Sequence, residues 1–585
     1  MLQLNDDPTR IDGASVLCQS LYKQGVRHMF GIVGIPVVEI GIHAQLNKIE
    51  FFGFRNEQSA SYAAGIYGYL QQQPGIMLSV SGPGVVHCIA GLANAWSNAW
   101  PMVLISGASN NCFSYQGAFQ EAPQMASVAP YVKFAAKPDS IDRIPFILEK
   151  AIRISRSGKP GPVYIELPGE MIVGTIPITN IPKMLSLTPI VKTQADPLQI
   201  QKSVKLLQSA KRPLVIVGKG MAYARAEHDV RQLIDTYKLP FLATPMGKGV
   251  VSDKHSCSVA AARSTALGQA DVILLLGARL NWILHFGSAP RYDKNVQFIQ
   301  VDIDGNEIGN NASSNTTGLI GDGGLVVQQL MQYMNNNNIK LNSNGEWKQW
   351  QQTLSSKIKK NSAGNDELMS DESVPMSYYR AYRDIREFIT DDTIVVSEGA
   401  NTMDIGRGLM LNTLPRHRLD AGTFGTMGVG IGFAIAAGIL YNSPTTEDNQ
   451  LPRKRIIAVE GDSGFGFSAI ELETAVRYKL PMVIVVINNS GVYSGIDSDD
   501  QANKPGFEVA PTQLSTRTRY DELCVSLGGV GYFVTEPSQL KSTITRAINE
   551  SESKKVPAVV NVIIQSSGQR KPQEHSWLTL PSSKL

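Results

Sequence analysis

One segment pattern occurs three times along this chain. An apolar strand runs into a glycine turn, a helix follows, and a proline introduces a second apolar strand. GIMLSVSGPGVVHCIAGLANAWSNAWPMVLISG (75–107) is the first copy, PLVIVGKGMAYARAEHDVRQLIDTYKLPFLAT (213–244) the second and RIIAVEGDSGFGFSAIELETAVRYKLPMVIVVINN (455–489) the third. The turn glycines Gly82, Gly218 and Gly461 precede the prolines Pro101, Pro240 and Pro481 by roughly 20 residues each, which accommodates a right-handed βαβ crossover. Strands apolar throughout, such as VILLL (272–276) and VIVVI (483–487), suit a parallel sheet covered on both faces. The pattern predicts an α/β chain of three doubly wound parallel-sheet domains. A length of 585 residues alone suggests roughly four; the repeat reduces that to three.

Boundaries fall where composition shifts. PITNIPKMLSLTPIVKTQADPLQ (177–199) reads as a linker, and 335–373 as a longer polar connection with one amphipathic helical piece. The expected units are therefore 1–180, 196–335 and 374–566, followed by a tail, 567–585. A net charge of +3 gives no basic footprint, so no nucleic-acid partner is expected. Five scattered cysteines without a CxxC pair argue against disulfide frameworks and structural zinc and fit a reducing compartment. GVGIGFAIAAGIL (428–440) and PMVIVVI (481–487) are too short to span a bilayer and read as a buried helix and a buried strand. The last three residues, Ser583-Lys584-Leu585, spell the peroxisomal address. They predict a peroxisomal matrix location and recognition by the import receptor.

The motif with most chemistry is GDSGFGF (461–467), between the strand IIAVE and a helix. A carboxylate at the carboxyl end of a parallel strand points into the crevice where such sheets bind ligands. Asn489, in NNSGVY (488–493), stands after the next strand, so Asp462 and Asn489 are expected to converge. One carboxylate and one amide oxygen suit Mg²⁺ that also takes diphosphate oxygens and water. The glycines admit a phosphate, and the helix start after Ser463 offers free N–H groups. GD and NN are each common turn formers; their joint placement after consecutive strands favours function.

The pair GDS…NN resembles the diphosphate motif of thiamine diphosphate (ThDP) enzymes, with Ser463 in place of the usual second glycine of GDG. That departure is shared with one branch, the 2-hydroxyacyl-CoA lyases and oxalyl-CoA decarboxylases. The resemblance runs from about residue 10 to about 580. It implies Mg²⁺ on Asp462, Asn489 and the carbonyl of Gly491, with Ser463, Gly464, Val492 and Tyr493 also at the cofactor. In RNEQSASYAAGIYG (55–68), Glu57 read alone is a helix N-terminal acid stabilised by the macrodipole. The resemblance makes it the catalytic glutamate that hydrogen-bonds the aminopyrimidine ring. In AGTFGTMGVGIGFAIAAG (421–438) it implies Thr423, Gly425 and Met427 as cofactor contacts, Met427 wedging the two cofactor rings into a bent shape. In SEGANTMDIGR (397–407) it places Ala400 and Asn401 near the diphosphate, while Ser397-Glu398 also reads as an ordinary loop start.

The segment NNCFSYQGAFQEAPQM (110–125) separates the two branches by resemblance. Gly117-Ala118-Phe119-Gln120-Glu121 stands where oxalyl-CoA decarboxylases carry a GDYEE-like run. Phe119 makes a more apolar pocket, suited to an alkyl chain, unless it is packed core. Gln120 remains a neutral hydrogen-bonding group, and Gln120 and Tyr493 are candidate proton handlers. The implied activity is cleavage of a 2-hydroxyacyl-CoA to formyl-CoA and an aldehyde one carbon shorter. The alternatives are decarboxylation of oxalyl-CoA and an inactive acyl-CoA or nucleotide-binding scaffold. In the middle unit Lys219, Arg279, Asp302 and Asp322 lie in GKGMAYA, GARLNW, VDID and GD; related decarboxylases bind ADP there. That leaves ADP, the adenosine portion of CoA, or a packing role alone. The tail either closes over acyl-CoA through Arg570 and Lys571 or only carries the targeting signal. The resemblance further implies a homodimer or homotetramer, with the domain of Glu57 meeting the third domain of another subunit.

Overall fold

The computed structural model describes residues 7–341, 345–443, 451–492, 495 and 509–566. Tyr493 and the whole tail 567–585 lie outside the described residues. Three parallel sheets carry the chain. The first orders its strands Glu50–Gly53, His28–Gly31, Gly75–Ser79, Met102–Ala108, Pro162–Pro168 and Ala135–Ala136. The second runs Phe241–Ala243, Pro213–Val217, Val272–Leu276, Gln297–Asp302 and Thr316–Ile320. The third runs Arg418–Asp420, Thr393–Glu398, Arg455–Gly461, Met482–Asn488, Pro557–Ile563 and Val530–Val534. An antiparallel pair, Arg10–Asp12 with Thr175–Pro177, brings the two ends of the first domain together.

The central strands of each sheet are buried on both faces, which is why they are largely apolar. In the first, Ile76, Leu78, Val103, Ile105, Val163 and Ile165 fill one core. The alternate residues Phe30, Met77, Leu104 and Tyr164 fill the other.

The three repeats end in the same way. Ala99, Lys238 and Lys479 each take a left-handed backbone (φ 56°, 51° and 54°). A buried Trp100, Leu239 or Leu480 follows each, then the proline. The left-handed residue stops the helix, the apolar residue seats the turn in the core, and the proline forbids continuation. The helices themselves differ. Pro83–Asn98 is continuous, the second copy splits into Lys219–Tyr223 and Glu227–Tyr237, and the third splits into Asp462–Gly466, Ala469–Glu471 and Leu472–Arg477. The interruptions fall at Arg225, itself left-handed (φ 57°), and at Phe467-Ser468, where Ser468 is extended in φ at −133°.

The first and third domains join through the helices Glu57–Gln71 and Gly430–Asn442, which pack small residues together. A Cβ on Gly432 would stand 2.9 Å from the carbonyl oxygen of Ser59. Trp100 meets Phe433 edge-on, with centroids 5.7 Å apart. Within 335–373 the helix Glu346–Met369 buries Trp347, Trp350 and Leu354. The two indoles donate to Ala210 O (2.9 Å) and Pro213 O (3.0 Å), so this helix clasps the second domain. No helix among the described residues is long and apolar enough to cross a membrane.

Candidate active site

The third sheet places Asp462 and Asn489 at neighbouring strand ends. Strands Arg455–Gly461 and Met482–Asn488 pair in parallel with Gly461 opposite Ile487, so both chains leave the sheet at one edge. Asp462 is buried, and its carboxylate accepts from Ser463 N (2.9 Å) and Gly491 N (3.2 Å). Burial raises its pKa to about 6, because two backbone donors replace hydration only in part. The Asn489 amide donates to Ser566 O (3.2 Å), which leaves its Oδ1 as the lone-pair donor. Ser463 occupies ordinary helical backbone within Asp462–Gly466, so a side chain is tolerated there. Gly464 is different: a Cβ on it would stand 2.8 Å from Glu398 Oε1. Among the described residues no cluster of three His, Cys, Asp or Glu could hold a metal.

Glu398 is the residue that sequence reading missed. Ser397-Glu398 is not a loop start; both are buried at the end of the strand Thr393–Glu398. The Glu398 carboxylate accepts from Gly428 N and from Gly430 N, the latter at 2.5 Å. It thereby ties the glycine loop to the sheet edge beside Asp462. In that loop Gly422, Gly425 and Gly428 are left-handed (φ 68°, 67° and 82°), and Met427 is half-buried. Thr423 is held from two other domains. Trp282 Nε1 donates to its carbonyl (2.7 Å), and its own N–H donates to Asn98 Oδ1 (3.4 Å). Ala400 and Asn401 open the helix Ala400–Leu409 behind the left-handed Gly399.

Glu57 is the first residue of the helix Glu57–Gln71, capped by Asn56, whose side chain accepts from Gln58 N. Its Oε2 lies 3.0 Å from His87 Nδ1. Among the described residues no hydrogen bond or ion pair joins Glu57 to the Asp462 corner of the same chain. Gln120 sits nearby in the first domain's crevice: Ser81 Oγ donates to its Oε1 (3.1 Å). Glu121 shapes the adjoining loop by accepting from the N–H groups of Tyr115 (2.6 Å), Gly117 (3.0 Å) and Ala118 (3.1 Å). Phe119 is 71% exposed and so is not core.

The thiamine pyrophosphate enzyme N-terminal TPP binding domain matches residues 11–127, the central domain 200–330 and the C-terminal TPP binding domain 398–562. 2-Hydroxyacyl-CoA lyase 1 of Homo sapiens is 45% identical over 575 residues, 97% of each chain. 2-Hydroxyacyl-CoA lyase of Arabidopsis thaliana is 42% identical over 569 residues, 95% of this chain and 96% of the relative. Oxalyl-CoA decarboxylase of Escherichia coli (strain K12) is 38% identical over 573 residues, 96% of each.

The chain belongs to the thiamine pyrophosphate enzyme family. Thiamine pyrophosphate is ThDP under its other name, and the three parallel-sheet domains are the family's N-terminal, central and C-terminal domains. Within this ThDP enzyme, Lys219, Arg279, Asp302 and Asp322 all line one cavity of about 170 Å³ between the first and central domains. Lys219 is held well below the usual lysine range by burial and the nearby Arg279 charge. Its Nζ donates to Asn98 Oδ1 at 2.6 Å. Burial raises Asp302 to about 6. Asp322 caps the helix Gly323–Asn336 and pairs with Lys192 (3.2 Å). The hydroxyls of Tyr69 and Tyr223, both on this cavity, are buried without a hydrogen-bond partner.

Proposed function

We propose that the chain is a ThDP- and Mg²⁺-dependent 2-hydroxyacyl-CoA lyase. It cleaves 2-hydroxy long-chain or 2-hydroxy-3-methyl-branched acyl-CoA to formyl-CoA and an aldehyde shortened by one carbon, as in fatty acid alpha-oxidation. The observation that carries the cofactor assignment is the Asp462 corner. A buried carboxylate with two backbone donors and a raised pKa suits a divalent cation, which supplies the missing charge. Asp462, Asn489 Oδ1 and the Gly491 carbonyl would hold Mg²⁺, with Ser463, Gly464, Val492 and Tyr493 beside the diphosphate. Ala400, Asn401, Thr423, Gly425 and Met427 would complete the cofactor cleft, and Glu57 would hydrogen-bond the pyrimidine ring. Bound ThDP supplies a carbanion and an electron sink for breaking a bond next to a carbonyl.

The chain's own residues choose the substrate. Phe119 offers an apolar surface in place of a hydroxyl that would pair with a charged oxalyl group. Gln120 presents an amide to the 2-hydroxyl or the thioester oxygen, and the proton of that hydroxyl leaves as the C1–C2 bond breaks. We infer two further points. The cavity at Lys219, Arg279, Asp302 and Asp322 takes ADP. The active unit is a homodimer or homotetramer, in which Glu57 of one copy meets the Asp462 corner of another. The exposed apolar residues Val86, beside His87, and Phe467 and Ile470, after Asp462, support the second point. Ser583-Lys584-Leu585 directs the chain to the peroxisome.

The purified protein with ThDP and Mg²⁺ is offered 2-hydroxyhexadecanoyl-CoA and, separately, oxalyl-CoA. Pentadecanal plus formyl-CoA is expected. CO₂ from oxalyl-CoA alone would make it a decarboxylase, and no turnover of either would make it a scaffold. Light scattering of the active species should give a dimer or tetramer; an active monomer overturns the shared-site reading.

A further inference from the structure

We propose that Gln124 is a positioning residue that sets Gln120 against the substrate. The proposal rests on the reading of Gln120 as a substrate-facing group. The parallel strands Gly75–Ser79, Met102–Ala108 and Pro162–Pro168 place Ser79, Ser106 and Glu166 in register at one sheet edge, where open α/β sheets hold ligands. Gln124 lies across that edge, buried, with both ends of its amide engaged. Its Oε1 accepts from Gly82 N (2.5 Å). The two N–H groups of its Nε2 are shared among Gly107 O (3.1 Å), Tyr164 OH (3.1 Å) and Glu166 Oε2 (3.0 Å). Glu166 is anchored in turn by Lys137 at 3.4 Å. A neutral amide with four partners in a dry corner has one rotamer.

What Gln124 fixes is the contact between Gly82 and Gln120. Gly82 is left-handed (φ 53°), and a Cβ there would stand 2.7 Å from Gln120 O and 3.1 Å from Gln120 Cβ. Gln120 is itself left-handed (φ 55°), a conformation a non-glycine residue keeps only where its surroundings impose it. Ser81, the neighbour of Gly82, donates to Gln120 Oε1 (3.1 Å), which engages the amide oxygen and leaves the NH₂ as the donor for a substrate. The Gly82–Gln124 bond therefore sets the Ser81-Gly82 corner, and that corner sets both the backbone and the amide of Gln120. Holding a reacting-site group to within a fraction of an ångström is the task of such supporting residues.

The test is a double-mutant cycle in the full-length enzyme with ThDP and Mg²⁺, assayed with 2-hydroxyhexadecanoyl-CoA. Gln120→Ala and Gln124→Met are each expected to lower kcat about 10-fold, since small misplacements at a reacting centre carry costs of that order. The double variant should be no slower than Gln120→Ala, and ThDP affinity should stay within about twofold of wild type. If Gln124→Met does not fold, Gln124→Asn takes its place in the cycle. Additive losses of about 100-fold in the double variant, or a fall in ThDP affinity, would show that Gln124 acts elsewhere and overturn the proposal. Wild-type kcat in the Gln124 variant beside a slowed Gln120→Ala overturns the positioning role alone. Wild-type kcat in Gln120→Ala overturns the reading of Gln120 and the proposal with it.

Discussion

Glu398 and Glu460 occupy the same register position on neighbouring parallel strands, both buried, and both reach the space beneath Gly430. Glu398 is bonded to Gly428 N and Gly430 N, whereas neither oxygen of Glu460 has a hydrogen-bond partner. Burial, reinforced by the Glu398 charge, pushes Glu460 well above the carboxylate range, since two adjacent buried acids do not both ionise. One acid thus carries the loop and the other fills space as a neutral group. Glu460→Gln should leave the melting temperature and ThDP affinity near wild type. Glu398→Ala leaves two buried N–H groups unpaired and should destabilise by about 2 kcal/mol. It should also weaken ThDP binding, measured by fluorescence titration. Wild-type affinity in Glu398→Ala would show that the loop is held by other means.

Gly430 gives a steric version of the same test. A Cβ there would stand 2.3 Å from Glu460 Oε1 and 2.9 Å from Glu398 Oε2. Neither acid can retreat from a packed strand end. Gly430→Ala should cost about 3 kcal/mol by overpacking, read as a lowered melting temperature, and the double variant Gly430→Ala/Glu460→Ala should recover part of it.

Glu57 stands at a helix N-terminus with a half-exposed His87 as its neighbour. Glu57→Gln keeps the shape and removes the charge. Turnover should fall below detection while ThDP still binds, if the proposed Asp462 corner holds the cofactor's diphosphate end. Wild-type turnover in this variant would remove Glu57 from the catalytic machinery.

The parts of the fold that the sequence made legible are those governed by short-range rules. The proline-terminated repeat is one, and the structure supplies its reason in the left-handed Ala99, Lys238 and Lys479. Asp462 and Asn489 were also readable, because they sit directly after two consecutive apolar strands. Glu398 was hidden because TIVVSE reads as a strand that ends before its charge, whereas the acid completes the strand and turns inward. Gln124 was hidden for another reason. Its partners Gly107, Tyr164 and Glu166 are 17, 40 and 42 residues away, and no periodicity relates them. Trp282 and Thr423, 141 residues apart, meet only because three domains converge on one loop.

The cavity at Lys219 predicts a ligand effect on stability. A ligand that binds the folded chain at 100 times its Kd adds about 2.7 kcal/mol, and ADP should raise the melting temperature accordingly. Asp302→Ala and Lys219→Met should each reduce that shift while leaving turnover without ADP measurable. A melting temperature indifferent to millimolar ADP in the wild type would make the cavity a packing feature.

His28 sets a pH dependence in the first domain. It is buried, with Nδ1 2.7 Å from the Tyr67 hydroxyl and Nε2 4.0 Å from Glu50. Burial, with a smaller contribution from Arg27, lowers its pKa from 6.5 to about 4. Between those values the unfolded chain binds the proton and the folded chain does not. Stability therefore falls as pH drops from about 6.5 towards 4 and is insensitive to this group above neutrality. The full shift corresponds to a loss on the order of 3 kcal/mol. His28→Phe removes the Tyr67 bond and lowers stability at pH 7.5, yet it should flatten the slope of melting temperature against pH between 4.5 and 6.5. An unchanged slope would mean that His28 titrates alike in the folded and the unfolded chain.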